Sequence, residues 1–380
     1  MRAVFIDVFL SCSLLDSIYA ISSAILNHKT IDYLQMNRKN FFSALALATV
    51  SVPVFNNFIT AAPVTAKERV RSYKIPPYLK KGDVIGITCP AGYINMEDVL
   101  PSVQLMESWG FQARIGKTVG TKDFTFGGTD QERAADLQQM LDDVEVKAIM
   151  CARGGYGAVR IIDELDFKHF KNHPKWIIGF SDITVLHCHL DRNFRIASIH
   201  SKMCNSFPSD WSQAEPIQIE TILSIRQALV GQDLRYSASF NEFNKMGKVQ
   251  GVLVGGNLSI IETLAGSNSD IDTDGKILFL EDTGEYLYSI DRKFWNLKRS
   301  GKLAKLKGLI IGGFKIKTET GDDQFGKTIQ DIVLEKVKEY NYPVCFDFPV
   351  GHQKNNFALK CGVKHLLDIN QEGTTLTSIL

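Results

Sequence analysis

From residue 84 onward, short apolar runs alternate with stretches in which apolar side chains return every three or four positions. The first pattern predicts buried strands and the second predicts amphipathic helices. Residues 84–89 form such a run, closed by Pro90-Ala91-Gly92. Val99, Val103, Met106 and Trp109 share one helical face that ends at Gly110, and residues 111–115 read as a strand. A polar amphipathic helix is predicted over 131–140, with Asp130 as its N-cap, and a strand over 144–150. Arg153-Gly154-Gly155-Tyr156-Gly157 then opens a helix over 158–165. Trp176-Ile177-Ile178 is apolar, Gly179 marks a corner, and a new helix starts near Ile183. Strands that alternate with helices imply a parallel, doubly wound sheet, whose functional loops lie beyond the carboxyl ends of the strands.

Residues 206–246 read as a linker or crossover, with one helix over 217–229 and no strong strand signal. The alternation resumes after it. Strands are predicted over 247–254, 276–280, 306–311 and 344–348, and helices over 259–265, 290–301 and 328–340. The expected architecture is α/β. A doubly wound parallel-sheet domain is expected over 75–205 and a smaller C-terminal α/β domain over 247–380.

Three chemically capable side chains fall just past predicted strands: Ser181, Glu281 and His352. Strand, sharp turn with a serine, then helix is the layout of a nucleophile elbow, although Ile183 stands where G-x-S-x-G has its second glycine. Ser181 could equally be a helix N-cap. A serine nucleophile needs a base, and the base needs an orienting acid. His352 and Glu281 fit those roles, with Glu285 as a rival acid. His187 and His189 lie too soon after Ser181 for either to be the obvious base. His200, at the end of a strand-like run, is expected to line the site and contact substrate. The glycines at 154, 155 and 157 can present backbone N–H groups to an anion, but match neither G-x-G-x-x-G nor G-x-x-x-x-G-K-[ST]. They read as a tight turn or as an oxyanion hole, in which the N–H groups of Gly155 and Asp182 would face the carbonyl oxygen.

Composition narrows the field. The 380 residues are 44% hydrophobic and 22% charged with net charge +1, which gives no electrostatic case for nucleic acid as a partner. Seven scattered cysteines without metal-type spacing predict buried thiols. Neither H-E-x-x-H nor H-x-x-E-H occurs, and no metal or organic cofactor is expected. Met36-Asn37-Arg38-Lys39-Asn40, the apolar run 41–52 and the small residues near Ala61-Ala62 have the layout of a signal peptide over 36–62. A retained membrane anchor is the alternative. Residues 1–35 precede this start and read as a doubtful upstream segment or a further hydrophobic segment.

Five motifs in order then carry a resemblance: Cys151-Ala152-Arg153-Gly154-Gly155-Tyr156-Gly157, Ile178-Gly179-Phe180-Ser181-Asp182-Ile183-Thr184, Gly255-Gly256-Asn257-Leu258, Leu278-Phe279-Leu280-Glu281-Asp282 with Ile290-Asp291-Arg292, and Gly351-His352. Together they resemble the LD-carboxypeptidase (S66 serine peptidase) family from about residue 75 to the end. The resemblance implies an N-terminal α/β sandwich domain and a C-terminal domain with the active site between them, a Ser181–His352–Glu281 triad, oxyanion donors at Gly155 and Asp182, and release of terminal D-alanine from murein tetrapeptides through an acyl-enzyme. A sister branch that resembles microcin C immunity proteins cleaves a peptidyl nucleotide instead. A wall-peptide binding module that keeps the fold without turnover is the reading from another class. Arg153 is the candidate partner for the substrate carboxylate, a homodimer is implied, and the signal segment points to the periplasm or cell envelope rather than the cytoplasm. Gln353 departs from the pattern, which would have glycine after the histidine.

Overall fold

The computed structural model describes residues 72–318 and 324–379. The expected signal segment at 36–62 and the stretch before it lie outside the described residues.

Two sheets organise these residues. The first contains β1 (Val84–Thr88), β2 (Gln112–Ile115), β3 (Val146–Cys151), β4 (Trp176–Gly179) and β5 (Ser198–His200). Its order is β2-β1-β3-β4-β5, all parallel, and an antiparallel strand from far downstream, β11 (Leu359–Cys361), closes it beside β5. The second sheet is mixed. It contains β6 (Arg235–Ala238), β7 (Gly247–Asn257), β8 (Ile277–Glu285), β9 (Gly308–Ile316), β10 (Val344–Cys345), β12 (Lys364–Asn370) and β13 (Gly373–Ser378). β7, β8, β9 and β10 run parallel, while β12, β13 and β6 extend the other edge antiparallel.

Period-2 alternation distributes each strand between two apolar cores. Ile177 of β4 packs in one core with Leu278 and Leu280 of β8; Trp176 and Ile178 pack in the other with Phe279. Each core therefore draws side chains from both sheets. The six cysteines among the described residues are buried thiols.

Several expectations are corrected. The helix Asp130–Asp142 is capped by Thr129, whose side chain accepts from the Glu132 N–H while Glu132 returns a bond to the Thr129 N–H. This capping box displaces Asp130 to the first helical turn, where it pairs with Arg133 and Arg160. The linker expected over 206–246 holds β6, an edge strand of the second sheet. This strand buries one side chain, Tyr236, and so offers no apolar run to read. The boundary at 247 also fails to separate the sheets, because β11 belongs to the first.

Candidate active site

β4 ends at Gly179, and the backbone turns sharply into the 3-10 turn Ser181–Ile183 and the helix Thr184–Phe194. Ser181 sits at φ +61°, a left-handed conformation that non-glycine residues seldom adopt and that clusters at functional sites. A Cβ on Gly179 would lie 2.9 Å from Ile183 Cγ1. The turn's demand for glycine therefore falls at 179, and Ile183 folds back over it. No side chain caps the following helix, whose N-cap is Ile183. The Ser181 hydroxyl is thus not used as the alternative reading would use it.

The glycine loop after β3 backs this elbow. A Cβ on Gly154 would lie 3.0 Å from Ser181 Cβ and 3.3 Å from its Oγ. The Gly154 carbonyl accepts from the Gly92 N–H at 2.8 Å, and Gly155 takes φ +98°. Asp182, 1% exposed, accepts from the Ala158 N–H at 2.8 Å. Burial pushes its carboxyl up to about 6, against the opposing pull of the Ala158 N–H and of Arg133.

The second sheet supplies a base and an acid. Glu281 lies on β8 with no exposed surface, and its Oε2 is 2.6 Å from Nδ1 of His352. A carboxylate accepts, so Nδ1–H donates and Nε2 keeps its lone pair. This close approach depends on Gly351, at φ +103°: a Cβ there would lie 2.4 Å from Glu281 Cβ. Glu285, the rival acid, accepts from Ser289 Oγ at 2.7 Å and pairs with Lys293 at 3.0 Å. The Phe180 ring, adjacent to Ser181 in the chain, lies 4.9 Å from the His352 ring and links the two halves of the site. They are also fastened through Thr184, whose hydroxyl accepts from the Asn257 N–H at 3.0 Å. A Cβ on Gly256 would strike that threonine at 2.5 Å, which explains the glycine before Asn257.

This order of serine elbow, mid-strand glutamate and loop histidine coincides with two family matches. Residues 85–201 match the LD-carboxypeptidase N-terminal domain, and residues 250–367 match the LD-carboxypeptidase C-terminal domain. The chain belongs to the LD-carboxypeptidase family. A probable murein peptide carboxypeptidase of Bacillus subtilis (strain 168) is 32% identical over 299 residues, which cover 77% of this chain and 91% of that relative. The microcin C7 self-immunity protein MccF of Escherichia coli is 24% identical over 327 residues, 79% of this chain and 94% of that one. The crystal structure of muramoyltetrapeptide carboxypeptidase from Oxalobacter formigenes aligns with a TM-score of 0.67 and 25% identity over 78% of this chain and 98% of its own.

Within this LD-carboxypeptidase framework the remaining candidates separate. Arg153 is exposed and donates one of its five N–H groups to the Tyr93 carbonyl at 2.8 Å. His200, expected to line the site, is instead fully buried, because Phe180 and Phe279 cover its ring at 5.8 and 5.0 Å. His187 donates Nε2–H to the Gly179 carbonyl at 2.9 Å and accepts from Ser198 Oγ at 2.8 Å, so it is a satisfied core residue.

Sequence reasoning missed three supports of the His352 loop. Lys202 Nζ donates to the Gln353 carbonyl at 2.6 Å, and burial pulls its ammonium pKa down while Glu281 opposes the shift. Asn356, fully buried, accepts from the Gly351 N–H at 2.7 Å. Gln353 occupies the expected glycine position without a left-handed backbone, and its amide donates to the carbonyls of Phe348 at 2.8 Å and Val350 at 3.2 Å. Only the place of Lys202 just beyond a strand end could have signalled it.

Proposed function

We propose that this protein is a serine-type LD-carboxypeptidase that releases terminal D-alanine from murein tetrapeptides. The observation that carries the reading is the Glu281–His352 hydrogen bond, with the His352 ring 4.9 Å from Phe180, the chain neighbour of the strained Ser181. His352 Nε2 removes the proton as Ser181 Oγ attacks the carbonyl carbon. Glu281 holds the imidazole in the required tautomer and stabilises its cation. The N–H groups of Gly155 and Asp182 receive the oxyanion, each contributing about 3 kcal/mol to lowering the barrier. The imidazolium then returns its proton to the leaving D-alanine nitrogen. Water, activated by His352, attacks the ester carbonyl and frees Ser181. Arg153 binds the terminal carboxylate of the substrate.

The test is D-alanine release from purified murein tetrapeptide by wild type and Ser181→Ala. Release by wild type alone supports both the reaction and the nucleophile; release by both eliminates Ser181. The match to MccF along nearly its whole length favours a second reading, hydrolysis of a different amide such as a peptidyl nucleotide. Exchanging the D-alanine for an aminoacyl-nucleotide leaving group separates the two. The layout of 36–62 favours work in the cell envelope, and N-terminal sequencing of protein from fractionated cells would check it.

A further inference from the structure

The Asp182 carboxylate has no place in the chemistry above, yet it is buried, and burying a carboxylate is costly. Its surroundings show what it holds. The peptide group that joins Gly157 to Ala158 is gripped at both ends. Its N–H donates to Asp182 Oδ2 at 2.8 Å, and its carbonyl accepts from Arg133 Nη1 at 2.9 Å. Arg133 is itself fully buried and also donates to the Pro90 carbonyl at 2.7 Å and the Gly128 carbonyl at 3.2 Å. The gripped peptide follows a backbone no other residue type adopts readily: Gly157 has φ +142°, and a Cβ there would lie 2.7 Å from Arg133 Nη1. The helix that begins at Ala158 has only four residues, so its dipole does not account for the charge. Asp182 is, by contrast, the residue whose backbone N–H continues the elbow.

We infer that Asp182 is a positioning residue: its side chain clamps the Gly154–Gly157 loop to the nucleophile elbow, so that the Gly155 N–H and its own N–H converge on one oxygen. One residue thereby couples both donors. Arg133 fixes the far side of the same peptide. This inference rests on the reading of Ser181 and Gly155 given above.

The experiment uses a fluorophosphonate, which needs no knowledge of the natural substrate. Ser181 Oγ bonds to phosphorus, fluoride leaves, and the phosphoryl oxygen occupies the oxyanion position. Labelling rates are compared for the purified full chain and its Asp182→Leu and Asp182→Asn variants, with unfolding midpoints measured alongside. Asp182→Leu is expected to label at least about tenfold more slowly, because an oxyanion donor is displaced. Asp182→Asn is expected to recover most of that loss, since its carboxamide oxygen still accepts from the Ala158 N–H. If Asp182→Leu does not fold, Asp182→Ala takes its place with the same order expected. Equal rates for all variants, or an asparagine variant as slow as the leucine or alanine one, would overturn the clamp. A wild type that fails to label at all removes Ser181 as nucleophile, and the clamp with it.

Discussion

Glu281 and His352, 71 residues apart in the chain, meet at 2.6 Å between Oε2 and Nδ1 with the carboxylate sealed from solvent. Such a carboxylate fixes the imidazole tautomer. In Glu281→Gln the amide can donate to Nδ1 and invert it, so kcat should fall about 10³- to 10⁴-fold with a smaller change in KM. Glu285→Gln is the control. Glu285 is tied to Ser289 and Lys293, and its loss should leave kcat within about threefold of wild type. Both are read from D-alanine release. Equal losses in the two variants would reopen the choice of acid.

Gly351→Ala should damage stability and activity together. The added Cβ would need φ +103° and would lie 2.4 Å from Glu281 Cβ. Backbone strain and overlap should cost at least about 2 kcal/mol, measurable as a lower urea midpoint. An unchanged midpoint would mean that the loop relaxes freely.

Gln353→Gly should weaken the His352 loop even though it restores the residue expected from the family pattern. It removes the amide that donates to the Phe348 and Val350 carbonyls. The expected loss is about 1–2 kcal/mol in urea unfolding. A more stable glycine variant would show that the side chain merely fills space.

Acid should destabilise the fold through its buried imidazoles. Burial pulls His365 from its ordinary 6.5 down to about 4, against the opposing hydrogen bond that its Nδ1–H donates to the Val363 carbonyl at 3.0 Å. Between those values the unfolded chain takes up a proton that the folded chain refuses, so stability is lost as pH falls from about 6.5 to 4. The His365 contribution lost by pH 4 is about 3 kcal/mol. His187, also lowered to about 4 by burial, acts in the same direction. His365→Gln should therefore show a shallower loss of unfolding midpoint over this window than wild type. Parallel curves would count against the assignment.

The parts of this molecule that were legible in sequence are those where one local signal sufficed. β4 and the first part of β8, residues 277–280, are continuous apolar runs; the serine lies just past the first, and the glutamate directly follows the second within a strand that runs on to Glu285. β13 was not legible: Gly-Thr-Thr-Leu-Thr-Ser offers a single buried aliphatic side chain, Leu376, and owes its strand to two partners. Long-range contacts hid the rest. Nothing near Asp182 announces that its carboxylate reaches Ala158, and nothing near Asn356 announces that it orders Gly351. Gln353 shows the converse, a departure from pattern that the fold absorbs by hydrogen bonding.

β11 makes the order of synthesis matter. The sheet that carries Ser181 is completed by Leu359–Cys361, which lie beyond the histidine loop, before the chain returns to the other sheet through β12. Until those residues leave the ribosome, β5 is an unpaired edge, and the core that holds Trp176, Ile178 and Phe279 lacks Leu359 and Cys361. The sheet that begins first therefore stays open until residues 359–361 have been made. The proposed hydrolytic centre, with parts at 181, 281 and 352, can assemble only after residue 352 has been made, so a shorter nascent chain would be inert.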